Sequence, residues 1–146
     1  NRLKKEKNSP LKILEKDQFN FKLSKTISRK EISLYKYILL IDGHITAFRL
    51  SFELSFNSVI LLVESNYFIW FSKLLKPYEH YVPIKSDLSD LIDKIKWCKR
   101  NDKKCHEIAK NAKFFYDKYL SDEGMFDYMQ SLFVKLSKRF KTNFFT

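Results

Sequence analysis

The chain has 146 residues, enough for one domain and not comfortably for two. Its 45% apolar and 16% aromatic content excludes a disordered chain despite 31% charged residues, and no apolar run reaches the roughly 18 residues needed to cross a bilayer. The net charge of +11 sits at the ends: residues 1–30 carry ten Lys/Arg against three acids, residues 135–146 carry four against none, and residues 31–134 balance fourteen with fourteen. A neutral middle argues against nucleic acid as the partner, because a phosphate-binding face needs its cations on the folded surface.

Residues 1–22 are polar, basic and weakly periodic, and read as a linker or an incomplete leading segment. The chain opens in a Lys-rich stretch without an initiator Met, as a piece of a longer protein would. We divide it into a leading segment over 1–30, a folded domain over 31–140 and a tail over 141–146. "ISRKEISLY" (Ile27–Tyr35) begins at Ser28 with Glu31 three residues on, the pattern of a capping box, and predicts a short helix or turn. "YILLI" (Tyr37–Ile41) is continuously apolar and predicts a buried strand. Ala47, Leu50 and Leu54 recur at helical spacing and predict a helix over 46–56.

"SVILLV" (Ser58–Val63) predicts the second buried strand, at 59–63. The aromatic stretch "NYFIWFSKLL" predicts a helix over 67–75, ended before Pro77. "HYVPI" predicts a third strand over 81–84, with Pro83 placing it near a sheet edge or at a strand end. Leu88, Leu91, Ile92 and Ile95 predict a helix over 88–99 capped by Ser86 or Asp87. Two further helices are predicted over 102–119 and 123–139. The alternation predicts a Rossmann-like three-layer α/β domain with a parallel sheet. Cys98 and Cys105 form no CxxC pair and have no histidine cluster beside them, so we expect two free thiols and no metal site.

In parallel sheets, ligands bind beyond the carboxyl ends of the strands, which directs attention to three loops. The first is "DGHITAFR". Gly43 would let a ligand come close to the backbone, and Arg49 offers a bidentate fork suited to a diphosphate. The competing reading is an ordinary turn with a solvated arginine, since one glycine is a weak motif. In the second loop, Glu64 could hold sugar hydroxyls, or Glu64 and Ser65 could simply cap the next helix. In the third, Asp87 could face a ligand, although its Ser/Asp surroundings are those of any helix cap. His44, His80 and His106 form no catalytic set.

Four segments carry a more specific signal: "KYILLIDG" (Lys36–Gly43), "TAFR" (Thr46–Arg49), "LLKPYEHYVPIKSDLS" (Leu74–Ser89) and "NDKKCHEIAKNAKFF" (Asn101–Phe115). In order and spacing, Tyr35 to about Leu120 resembles the C-terminal half of glycosyltransferase family 90, the family of capsule-associated xylosyltransferases and protein O-glucosyltransferases. The resemblance implies the C-terminal lobe of a GT-B enzyme that binds a UDP-sugar and transfers glucose or xylose to a protein or glycan hydroxyl. It places donor contacts on His44, Ile45, Thr46, Ala47, Phe48 and Arg49, with Arg49 on the diphosphate. It implies no metal cofactor. It also implies an inverting transfer, whose carboxylate base belongs to an N-terminal acceptor lobe.

Residues 1–35 are too short and too basic to be that lobe, so we expect this chain alone to be inactive. A non-catalytic nucleotide-sugar-binding module is the alternative, and a basic nucleic-acid- or anion-binding α/β domain a more remote one. The resemblance leaves location open between the cytoplasm, as in viral or bacterial relatives, and the secretory lumen, as in animal ones.

Overall fold

The computed structural model describes residues 26–42 and 47–141. Helix α1 (Arg29–Ile32) starts where the capping box places it: the Ser28 hydroxyl accepts the Glu31 N–H at 3.2 Å, and the Glu31 carboxylate accepts the Ser28 N–H at 2.7 Å. Strand β1 (Tyr37–Leu40) follows, then helix α2 (Leu50–Glu53), a 3-10 turn (Leu54–Phe56) and strand β2 (Val59–Val63). A second 3-10 turn (Ser72–Leu74) leads to strand β3 (Val82–Ile84), and helices α3 (Leu91–Arg100), α4 (Asp102–Tyr119) and α5 (Asp122–Lys141) complete the order.

The sheet is parallel with strand order β1-β2-β3. Tyr37 to Leu40 pair with Val59 to Leu62, and Leu61 to Val63 pair with Val82 to Ile84. Pro83 therefore sits on an edge strand, where its missing N–H costs no ladder bond. Side chains alternate across the sheet, and each face has its own core. On one face Val59, Leu61, Val63, Val82 and Ile84 pack against Leu91, Cys98, Cys105 and Ile108 of α3 and α4. On the other, Ile38, Leu40 and Ile60 pack with Leu50, Leu54, Phe71, Leu75, Ala112 and Phe115. Helix α4 supplies both cores, Ile108 to the first and Ala112 and Phe115 to the second, and so ties the two faces together.

Three predicted helices change. The helix expected over 67–75 shrinks to the turn Ser72–Leu74. Its serines bind locally instead: Ser65 Oγ accepts the Tyr67 N–H at 3.0 Å and Ser72 Oγ accepts the Ile69 N–H at 3.0 Å. Such bonds offer the backbone an alternative to the helix. Within the stretch Phe71 and Leu75 are buried while Tyr67, Phe68 and Trp70 stay exposed. The helix expected over 46–56 is one α turn continued by a 3-10 turn, with the Ser51 and Ser55 hydroxyls donating to the carbonyls three residues back, Phe48 and Phe52. Its position 46 lies outside the described residues.

The helix expected from 88 begins instead at Leu91. Leu88 has φ 59° and cannot continue an α-helix, yet its side chain is buried in the first core. Burial of that side chain outweighs a backbone conformation that leucine rarely adopts. The cap position passes from Ser86 or Asp87 to Asp90, whose Oδ1 accepts the Lys85 N–H at 2.9 Å.

Cys98 and Cys105 are free and buried, as expected. The Cys105 thiol donates to the Cys98 carbonyl at 3.5 Å, and burial pushes the Cys98 thiol up to about 12. A β-carbon on Gly124 would lie 2.5 Å from the Lys118 carbonyl oxygen, so the corner between α4 and α5 requires glycine. No helix among the described residues is long and apolar enough to cross a membrane.

Candidate functional site

The loops after β1 and β2 meet in one cleft of about 260 Å³, beyond the carboxyl ends of the strands. Leu40, Asp42 and Ala47 line one side, Leu62, Val63, Glu64 and Ser65 another, and Tyr67, Phe68, Leu75, Pro77, Tyr81 and Pro83 close it. Strand geometry builds this arrangement. Parallel neighbours end at the same level, so Asp42 and Glu64 leave adjacent strands side by side. The Glu64 N–H donates to the Ile84 carbonyl at 2.8 Å, which fixes where β2 releases its loop. The Asp42 carboxylate accepts the Ala47 N–H at 2.5 Å.

Of the residues singled out in the sequence, the cleft gathers Ala47, Glu64 and Ser65. Gly43, His44, Ile45 and Thr46 lie outside the described residues. Phe48 is exposed beside the cleft. Arg49 is half-exposed. Its Nη2 donates to the Ile41 carbonyl at 3.4 Å and its Nε lies 3.4 Å from Glu53 Oε1. It sits at the N-cap position of α2, which is four residues long. A single turn aligns few peptide dipoles, so any attraction for an anion here rests on the guanidinium charge more than on a helix macrodipole. Asp87 is not among the cleft residues. Its carboxylate accepts the Ser89 N–H at 3.0 Å, and that bonding holds it below the usual aspartate range. It stabilises the turn before α3 and does not cap that helix, whose N-cap is Asp90.

The structure adds residues that the sequence did not point to. Tyr81 enters the cleft because β3 begins one residue after it. Burial first, and then the Glu64 carboxylate, push its phenol above the ordinary tyrosine value, so it faces the cleft as a neutral hydroxyl able to donate. Asp42 lines the cleft and binds the Ala47 N–H. Glu53 is 2% exposed, and its Oε2 has no hydrogen-bond partner among the described residues. Burial raises its carboxyl above the usual range, with Arg49 opposing. Nothing in the helical pattern "RLSFEL" foretold a buried acid. Among the described residues, no group of three or more His, Cys, Asp or Glu stands together as a metal site would require.

The cleft can therefore offer carboxylate, hydroxyl and aromatic groups on its walls and one arginine beside its first loop. Its volume falls short of the roughly 300–1,000 Å³ that encloses a drug-sized ligand, so a larger molecule would fill it with one part and leave the rest outside.

Comparison with known proteins points the same way. The family model described as glycosyl transferase family 90 matches residues 2–145, a wider span than the Tyr35–Leu120 stretch recognised in the sequence. Over 124 residues the chain is 56% identical to uncharacterized protein 179R of Invertebrate iridescent virus 6, covering 80% of this chain and 10% of that protein. It is 36% identical over 116 residues to protein O-glucosyltransferase 2 of Danio rerio, covering 80% of this chain and 23% of that protein. With protein O-glucosyltransferase 3 of Homo sapiens it shares 35% identity over 105 residues, 72% of this chain and 21% of that one. The chain thus spans between a tenth and a quarter of the length of these relatives. A match that runs nearly end to end, over a parallel α/β domain with its cleft at the carboxyl ends of the strands, establishes that this chain belongs to glycosyl transferase family 90.

Proposed function

We propose that this chain is the donor-binding part of a glycosyltransferase, and that its cleft receives a UDP-sugar whose sugar, such as glucose or xylose, passes to a hydroxyl of a protein or glycan. The observation that carries the reading is the convergence of the β1 and β2 loops on one cleft, with Arg49 tethered to the end of β1 beside it. In this reading Arg49 binds the diphosphate through a charge-assisted fork. Glu64 and Ser65, with the Tyr81 hydroxyl, meet ribose or sugar hydroxyls. Tyr67 and Phe68 offer ring faces for stacking. The segment Gly43–Thr46 carries the remaining donor contacts. Catalysis requires an acceptor lobe with a general base, supplied by a longer polypeptide, so this chain alone binds donor without transferring sugar. Binding depends on no metal in this scheme, and chelation should leave it unchanged.

Calorimetric titration with UDP and with uridine tests the reading. UDP should bind more tightly than uridine, because the diphosphate is the anchor. A charge-assisted pair contributes on the order of 1.5–3 kcal/mol, so Arg49→Ala should weaken UDP binding roughly ten- to a hundredfold. Arg49→Lys should recover only part, since a point charge cannot reproduce the fork. Equal affinity for UDP and uridine, or an Arg49→Ala variant that keeps its UDP affinity, would overturn the role of this cleft.

A further inference from the structure

Arg49 and Glu53 stand one helical turn apart on α2, the arginine half-exposed and the glutamate almost wholly buried, with 47% and 3% of their side chains exposed. The arginine is held at two points. Glu53 Oε1 lies 3.4 Å from Nε, and the Ile41 carbonyl at the end of β1 lies 3.4 Å from Nη2. A guanidinium has five N–H donors in a rigid plane, so two anchors fix the orientation of that plane and leave most of its donors for a ligand. Both contacts are long, which leaves the arginine's charge far from saturated. Glu53 gains correspondingly little: its second oxygen, Oε2, is buried with no hydrogen-bond partner among the described residues.

A buried carboxylate with one orphaned oxygen is an expensive way to fill space that a leucine would fill without loss. Glu53 is also not a wall of the cleft, which Leu50 and Ala47 line from the same segment. Its position suits an effect exerted through its neighbour rather than direct contact with a ligand. Resting on the reading of Arg49 as the diphosphate anchor, we propose that Glu53 is a positioning residue: it pins the Arg49 guanidinium between α2 and the end of β1 so that the fork is already oriented when the diphosphate arrives. Pre-orientation strengthens binding because less rotamer freedom is lost when the ligand is engaged.

The test is a double-mutant cycle on the 146-residue chain, read by UDP and uridine titration. Glu53→Leu removes the anchor and should weaken UDP binding about three- to tenfold while leaving uridine binding unchanged. Glu53→Gln keeps an oxygen for Nε and should lose about two- to threefold, a partial rescue that a purely structural role would not give. In an Arg49→Ala background, either Glu53 substitution should leave UDP affinity where Arg49→Ala alone puts it. The inference is overturned if Glu53→Leu leaves UDP affinity unchanged or tightens it, which would make Glu53 a competitor for the arginine. It is equally overturned if UDP and uridine weaken together, or if the loss persists without Arg49. Should Glu53→Leu not fold, the near-isosteric Glu53→Gln carries the same comparison, and unchanged UDP affinity in it overturns the inference. These results are separable from the broader reading. A wild-type chain without preference for UDP, or an indifferent Arg49→Ala, removes the proposed function itself. A normal UDP preference lost in Arg49→Ala but untouched by Glu53 substitutions removes only the positioning role.

Discussion

At the amino ends of β1 and β2 the polar groups are closely paired. The Ser58 hydroxyl donates to the Tyr35 carbonyl at 2.7 Å, the Val59 N–H donates to the Lys36 carbonyl at 2.9 Å, and the Lys36 ammonium pairs with Asp102 at the head of α4. At the carboxyl ends short bonds, such as Glu64 N–H to the Ile84 carbonyl, stand beside looser contacts. Arg49 reaches its partners at 3.4 Å, Glu53 Oε2 has no partner among the described residues, and the loops part to leave a cleft. β1 and β2 thus run from a closely paired end to an open one. A buried polar atom without a partner costs about 1–3 kcal/mol, and a domain holds only about 5–15 kcal/mol of net stability. Such a defect beside the cleft is a stability cost in a place where the proposed ligand role would justify it.

The largest effect should come from the first core, away from the cleft. Ile108 of α4 is fully buried in the first core, and Ile108→Ala should cost about 2–5 kcal/mol in chemical denaturation. The fraction that remains folded should keep its preference for UDP over uridine. Loss of that preference at unchanged fold would mean that the two ends are not separable.

The open end should behave in the opposite way. Glu53→Leu should raise stability at neutral pH by about 1 kcal/mol while weakening UDP binding. The sign follows from the carboxyl, which burial raises above its ordinary value of 4.5. A raised acid favours folding below that value and loses the contribution as pH rises through its folded-state value. The gap between variant and wild type should therefore be small in acid and widen toward neutral pH. A constant gap across that range would show that the carboxylate is better paired than its geometry indicates.

His80 supplies a smaller effect of the other sign. Burial lowers its pKa from the ordinary 6.5, its Nδ1 accepts the Lys76 N–H at 3.0 Å, and its ring packs edge-on against Phe115 at 5.3 Å. The neutral ring is the folded form, so this contribution is complete above 6.5 and is lost as pH falls through the lower folded-state value. Thermal unfolding midpoints should decline over that acid range, and His80→Gln should flatten the decline. The smallest change is kinetic. With burial raising both thiols, Cys98 to about 12, neither Cys98 nor Cys105 should react with a thiol reagent at pH 8 until denaturant is added, when two thiols should appear. Rapid native labelling of either would show that the first core opens locally.

Local chain chemistry sets the elements whose signal is long or chemically specific. "SVILLV" could hardly be other than a buried strand, the Ser28–Glu31 pair marks its helix start by reciprocal bonding, and the eighteen residues of α4 carry enough turns for periodicity to be decisive. Family membership was legible for the same reason, since its motifs extend over many residues in fixed order. The tertiary structure decided the short pieces. A one-turn helix cannot stabilise itself, because nucleation is costly and few bonds follow. What residues 47–56, 67–75 and 88–90 adopt therefore depends on which side chains the cores accept: Phe71 and Leu75 inside with Trp70 outside, and Leu88 buried at a positive φ. The site belongs to the same category. Arg49 and Glu64 could be nominated from the pattern, but the places of Tyr81 and Glu53, and the absence of Asp87 from the cleft, follow from contacts between segments far apart in the chain, which local sequence does not encode.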